Sequence, residues 1–96
     1  STLAYYYNFS TAATMSAKIA SIVPKKRFKR AVKRNRVKRQ VREAYRKNKH
    51  ILLDALKDSG RKIAIAFIWL DNELHESADV EAKVVKLLQL TAERLA

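Results

Sequence analysis

RAVKRNRVKRQVREAYRKNK, from Arg30 to Lys49, is the stretch on which the reading of this chain turns. Like charges crowd along it, yet its apolar residues keep helical spacing. At about 100° per residue, Val37, Val41 and Ala44 fall on one side, and the stripe continues through Ile51, Leu52 and Ala55. Tyr45 lies at its margin. Lys38, Arg39, Arg42, Arg46 and Lys49 form a second stripe, with Asn35 in line and Arg34 between the two. The spacing predicts one long amphipathic helix from about Ala31 to Lys57, able to dock on a sheet while displaying its charge. Ser59-Gly60 is the expected stop, with Gly60 suited to the left-handed position beyond a helix end.

The surrounding segments supply that sheet. Leu3 to Tyr7 reads as a strand, with Leu3, Tyr5 and Tyr7 on one face. Asn8 to Ser16 reads as a connecting loop. Ala17 to Val23 is a second strand, ended by Pro24. Arg61 to Leu70 is the clearest strand: Ile63, Ile65, Phe67 and Trp69 face one way, Ala64 and Ala66 the other. Both faces are apolar, so a central strand is expected, with the alanine face admitting a closely packed helix. Asp71 to Glu76 is a loop. Ser77 is placed to cap a last helix running to about Leu95, with Asp79 and Glu81 near its N-terminus and Val84, Leu87, Leu88, Thr91 and Leu95 facing inward. The expected architecture is an α+β sandwich of order β-β-α-β-α.

A length of 96 residues suits one domain, spanning residues 1–96. Such a chain buries roughly 60–70% of its unfolded surface, so one modest core is plausible. The apolar fraction of 48% argues against disorder. No apolar run approaches the roughly 18 residues that span a bilayer. The opening STLAYYY lacks a basic signal-peptide region and an initiator Met, and a processed or trimmed start is expected. There is no cysteine, which removes disulfides and thiolate zinc sites and fits a cytoplasmic location.

The net charge is +12. From Lys25 to Lys49 there are fourteen Lys and Arg against one acid, Glu43, while the rest of the chain carries seven basic and eight acidic residues. All of the excess therefore sits in one quarter of the chain. A solubility device would be spread out. A solvated helix face would alternate signs at i,i+4 spacing, which this run does not. Concentrated charge of this kind points to a polyanion, above all nucleic acid, with an anionic membrane the weaker fit. Arginine dominates the core of the run, and its planar fork suits bidentate phosphate contacts. A basic helix that continued into leucine heptads would suggest a DNA-binding zipper. Here Gly60 and a strand intervene, and there is no second recognition element. A helix packed on a sheet beside aromatic strands favours RNA, with bases on tyrosine rings and the helix on the backbone. For Tyr5, Tyr6 and Tyr7 the alternative is core or cross-strand packing.

The run Ile22 to Arg46 resembles the signature of the bacterial ribonuclease P protein subunit. That family carries a run of the form V-x-K-K-x-x-x-x-A-V-x-R-N-R-x-K-R-x-x-R-E-x-x-R. Val23, Lys25, Lys26, Ala31, Val32, Arg34, Asn35, Arg36, Lys38, Arg39, Arg42, Glu43 and Arg46 all fall on it. The resemblance implies a fold similar to the second domain of ribosomal protein S5, with a left-handed βαβ crossover against the usual rule. It implies a ribonucleoprotein endonuclease in which a large RNA with bound Mg²⁺ is the catalyst, the protein itself holding neither catalytic residue nor metal. It implies that Arg34, Asn35, Arg36, Lys38, Arg39, Arg42 and Arg46 face the catalytic RNA. Lys25, Lys26 and Lys29, with Tyr5 and Tyr7, would hold the 5′ leader of precursor tRNA. The family usually opens with a further helix bearing an Arg-Leu pair and a Phe. This sequence opens at the first strand, so a trimmed or lost helix is expected, and the phenylalanine that the family uses in one wall of the leader cleft has no counterpart placed here. A non-enzymatic RNA-binding module, such as a ribosomal protein of related fold, is the rival reading.

No catalytic constellation accompanies the basic helix. His50 and His75 lack evident partners and read as surface residues. Glu43 reads as an ion-pair partner rather than a general base. Asp71, Glu73 and Glu76 read as a solvated loop and cap rather than a metal cluster.

Overall fold

The structure, a computed structural model, describes residues 2–9, 17–57, 59 and 61–95. Three strands, β1 (Leu3–Phe9), β2 (Ala17–Ile22) and β3 (Ile63–Trp69), form one sheet in the order β1-β3-β2. β3 is central, antiparallel to β1 and parallel to β2. The helices are α1 (Ala31–Asn48), α2 (His50–Lys57) and α3 (Ser77–Leu95). The class is α+β, as expected. β1 runs two residues beyond the expected strand, taking Asn8 and Phe9 from the loop; residues 10–16 and the Gly60 stop lie outside the described residues.

Burial alternates strictly along β3. Ile63, Ile65, Phe67 and Trp69 are buried; Ala64, Ala66 and Ile68 are half-exposed. Register carries this alternation across the sheet. Leu3, Tyr5 and Tyr7 pair with Trp69, Phe67 and Ile65, and Ile19 and Ser21 pair with Ile65 and Phe67. On that side Val37, Val41 and Ala44 of α1, Leu52 and Leu56 of α2, and Val80, Val84 and Leu88 of α3 complete one core. Burying these large apolar side chains contributes about 1.5–3 kcal/mol each. Thr91, also buried, donates its hydroxyl to the Leu87 carbonyl at 2.8 Å, which removes the cost of its burial.

The alanine face of β3 departs from expectation. It is central, as its composition required, but the elements packed on the sheet share the Trp69 side, and the Ala64–Ala66 face borders an open trough instead of a helix. The long helix is also two helices. α1 and α2 are separated only at Lys49, which keeps right-handed helical angles (φ −58°, ψ −23°), so the apolar stripe runs on from Ala44 to Leu52 and Leu56. The Asn48 amide donates to the Ala44 carbonyl and to Glu81 on α3, both at 2.8 Å. A side chain competing for backbone acceptors in this way is a recognised cause of helix interruption. At the start of α3 the Glu76 carbonyl, not Ser77, receives the first helical bonds; the Ser77 hydroxyl instead accepts from Gln40 of α1 at 3.2 Å.

Candidate nucleic-acid interface

The basic segment is built in two parts, a loop and a helix. After β2 the chain turns at Pro24, with the Arg27 N–H donating to the Pro24 carbonyl at 3.0 Å. Val23 and Phe28 are buried on either side of this turn. They anchor a loop whose Lys25, Lys26, Lys29 and Arg30 are exposed. Arg34 closes it from α1: one Nη donates to the Phe28 carbonyl at 2.8 Å and the Lys29 carbonyl at 2.7 Å. Arg27 donates to Asn72 at 3.4 Å, tying the loop to the segment after β3.

α1 itself opens without help. Arg30, at the cap position, is extended and its side chain makes no cap hydrogen bond, and the first turn has no acid. The partial positive charge of the helix N-terminus thus adds to the lysines and arginines around it. Asn35, Arg36, Arg39, Arg42 and Arg46 are exposed, and Lys38 is half-exposed. Arg46 is the exception in availability, because its Nε donates to Glu43 at 2.9 Å in an exposed i,i+3 ion pair. The Arg46 hydrogen bond, aided by its charge, holds the Glu43 carboxyl below the usual carboxylate range. Glu43 is therefore an ion-pair partner, as its place in the helix suggested.

The opposite face of the sheet holds a trough of about 400 Å³. Ala20, Ala64 and Ala66 are among the residues lining it, and Tyr6, Asn8 and Lys18 stand around them. Small side chains in adjacent strands open the floor, and Tyr6, 70% exposed, rises beside it. Tyr5 and Tyr7, expected to line a leader cleft, have their rings on the other side. They stack on each other with centroids 5.7 Å apart and pack against the core. Register is the reason: both pair with β3 residues whose side chains enter the core. Tyr7 borders the trough only by its place in the strand, and its hydroxyl accepts from Arg94 of α3 at 3.1 Å. Tyr6, which the sequence reading did not single out, is the tyrosine exposed at the trough. The period of two that joins Tyr5 and Tyr7 puts Tyr6 with Ala4 and Asn8, opposite Ala66, and that signal was present in the sequence.

His75 is not a free surface residue. Its Nε2 lies 2.7 Å from Asp71 Oδ2, and its ring meets Trp69 edge-on at 5.4 Å. The His75 contact, then the bond from the Glu73 N–H, holds the Asp71 carboxyl below its ordinary range. The His75 carbonyl also accepts from Gln40 of α1 at 3.0 Å. The segment after β3 therefore braces both the basic loop, through Asn72, and α1, through Gln40. Among the described residues no group of three or more His, Asp or Glu is placed to hold a metal ion. Among the same described residues no helix is long and apolar enough to cross a membrane.

A family model described as Ribonuclease P matches residues 1–91. Proteins named "Ribonuclease P protein component" from two strains of Porphyromonas gingivalis are each 54% identical over 66 residues, covering 69% of this chain and 48% of theirs. One of the same name from Nitrosomonas eutropha is 35% identical over 81 residues, covering 82% of this chain and 60% of its own. The chain spans about half the length of the Porphyromonas gingivalis relatives it matches. No solved structure matches it.

Proposed function

The chain belongs to the Ribonuclease P family, and on that premise we propose that it acts as the protein subunit of the ribonuclease P endonuclease, which removes 5′ leaders from precursor tRNA. The catalytic RNA lies along the exposed face of α1, through Asn35, Arg36, Lys38, Arg39 and Arg42, with Arg34 ordering the loop beneath. The 5′ leader crosses the open face of the sheet. There Tyr6 offers a stacking surface and Lys18 a cation, and Lys25, Lys26 and Lys29 extend the cationic path from the end of β2. Phosphodiester hydrolysis belongs to the RNA and its Mg²⁺. The protein's part is to lower repulsion between RNA strands and so the Mg²⁺ concentration they need. Its place of action is the cytoplasm.

The observation that carries this reading is the separation of two surfaces. A cationic helix face with a single acid lies on one layer, and an aromatic and alanine face that no described helix covers lies on the other. One suits a phosphate backbone, the other an unpaired strand. Binding to a bacterial ribonuclease P RNA, and to precursor tRNA with and without a leader, tests both. With 6–10 phosphate contacts, affinity for the catalytic RNA falls about 10³–10⁵-fold between 50 and 200 mM salt. Precursor tRNA should bind more tightly than the same tRNA without its leader. Affinity for ribosomal RNA alone would favour the non-enzymatic module instead.

A further inference from the structure

Val32 is 80% exposed, more than any other large apolar side chain among the described residues. It stands in the first turn of α1. The positions three, four and seven residues on are Asn35, Arg36 and Arg39, all exposed. These share its face, since such spacings stack along one side of a helix. Val37, Val41 and Ala44, which are buried, lie on the opposite side. Val32 is thus the one large apolar side chain on a face that is otherwise polar and cationic.

Among the described residues nothing buries it. The core lies on the far side of the helix, and a β-branched residue forms helix less well than the Lys and Arg beside it. A lone surface valine needs no explanation. A valine centred on a stripe that meets a polyanion is different, because the cations on either side bring a partner's surface onto it. Such a surface exposes apolar ring faces between its phosphates.

We propose that Val32 packs on the apolar face of a nucleoside, a ribose or base, in the RNA bound along α1. It supplies a salt-independent contact within an otherwise electrostatic interface. The proposal rests on the RNA-binding reading above and refines it. Asn35, one turn on, is placed to hydrogen-bond a base edge or 2′-hydroxyl beside that contact. Together they give the first turn of α1 a capacity to select structure in the RNA, which phosphate contacts alone lack.

The test is a salt series of binding to a bacterial ribonuclease P RNA with four proteins: unaltered, Val32→Ala, Val32→Lys and Arg39→Ala. Thermal unfolding of each checks the fold. Val32→Ala should weaken binding about fivefold to tenfold, the loss expected for removing buried methyl groups. Its slope of log affinity against log salt should stay unchanged and its Tm should not fall. Val32→Lys should also weaken binding, despite the added cation. Arg39→Ala should flatten the slope by about 0.7–0.9. Tighter binding and a steeper slope for Val32→Lys would overturn the proposal, because charge alone would then govern this position. Unaltered affinity for Val32→Ala beside a flattened slope for Arg39→Ala would remove the Val32 contact and leave the RNA reading standing. A salt-insensitive complex, unaffected by Arg39→Ala, would overturn the RNA reading itself.

Discussion

Arg34 differs from the other cations of α1 because one of its guanidinium nitrogens is held by backbone carbonyls, those of Phe28 and Lys29. Arg39 is exposed on the same helix. Arg34→Ala should therefore loosen the basic loop and lower Tm by a few degrees along with RNA affinity. Arg39→Ala should lower affinity alone, and denaturation with parallel binding curves separates the two. Asp71 is a second residue with a structural task. Its carboxyl sits below its ordinary range because of the His75 hydrogen bond first and the Glu73 N–H second. A depressed carboxyl stabilises the fold at pH above its unfolded value and loses that contribution as pH falls through its folded value. Asp71→Asn should therefore flatten the acid limb of a Tm–pH profile. An unchanged limb would show that the contact contributes nothing in solution. Neither task was legible in the sequence, since each rests on contacts made in irregular segments, Arg34 with the loop before α1 and Asp71 with His75 between β3 and α3.

At the scale of the element, helix and strand periods served well where one face is buried. The Val37–Val41–Ala44 stripe and the alternation of Ile63, Ile65, Phe67 and Trp69 both entered the core as their spacing required. Val41→Asp should lower Tm by roughly 10 °C or more, since it places a carboxylate in that stripe without a partner. The misreadings arose where the period says nothing. At the break beside Lys49, Asn48 donates both to Ala44 within α1 and to Glu81 on α3, and the second is a tertiary contact that no local pattern encodes. Ala64 and Ala66 permit a closely packed helix and equally permit an open floor; composition cannot choose between them. Their side of the sheet yields a prediction that separates function from stability. Ala66→Phe should fill the trough and weaken leader-dependent tRNA binding, with little change in Tm because the site is outside the core. Tyr6→Ala should do the same by removing the stacking surface, at a cost of about 1–3 kcal/mol of binding for one lost base stack.

For the whole molecule, the sheet separates two surfaces of different chemistry. The Trp69 side is covered by helices and places α1 with its charge outward. Among the described residues no helix covers the other side, where Tyr6 stands beside an alanine floor. The family was legible from the spacing between Val23 and Arg46, and the matched family model agrees with it. The division between surfaces was not legible, because it follows from which side of β3 the helices choose. On the proposed reading, these surfaces let a catalytic RNA work on precursor tRNA where Mg²⁺ is scarce. It is tested most directly by precursor-tRNA cleavage with a bacterial ribonuclease P RNA at near-physiological Mg²⁺, with and without this chain, on substrates with long and with minimal 5′ leaders. Cleavage should be faster when the chain is added, with the larger gain for the long leader. Cleavage that is indifferent to the chain for both substrates, while the chain still binds the RNA, would contradict it.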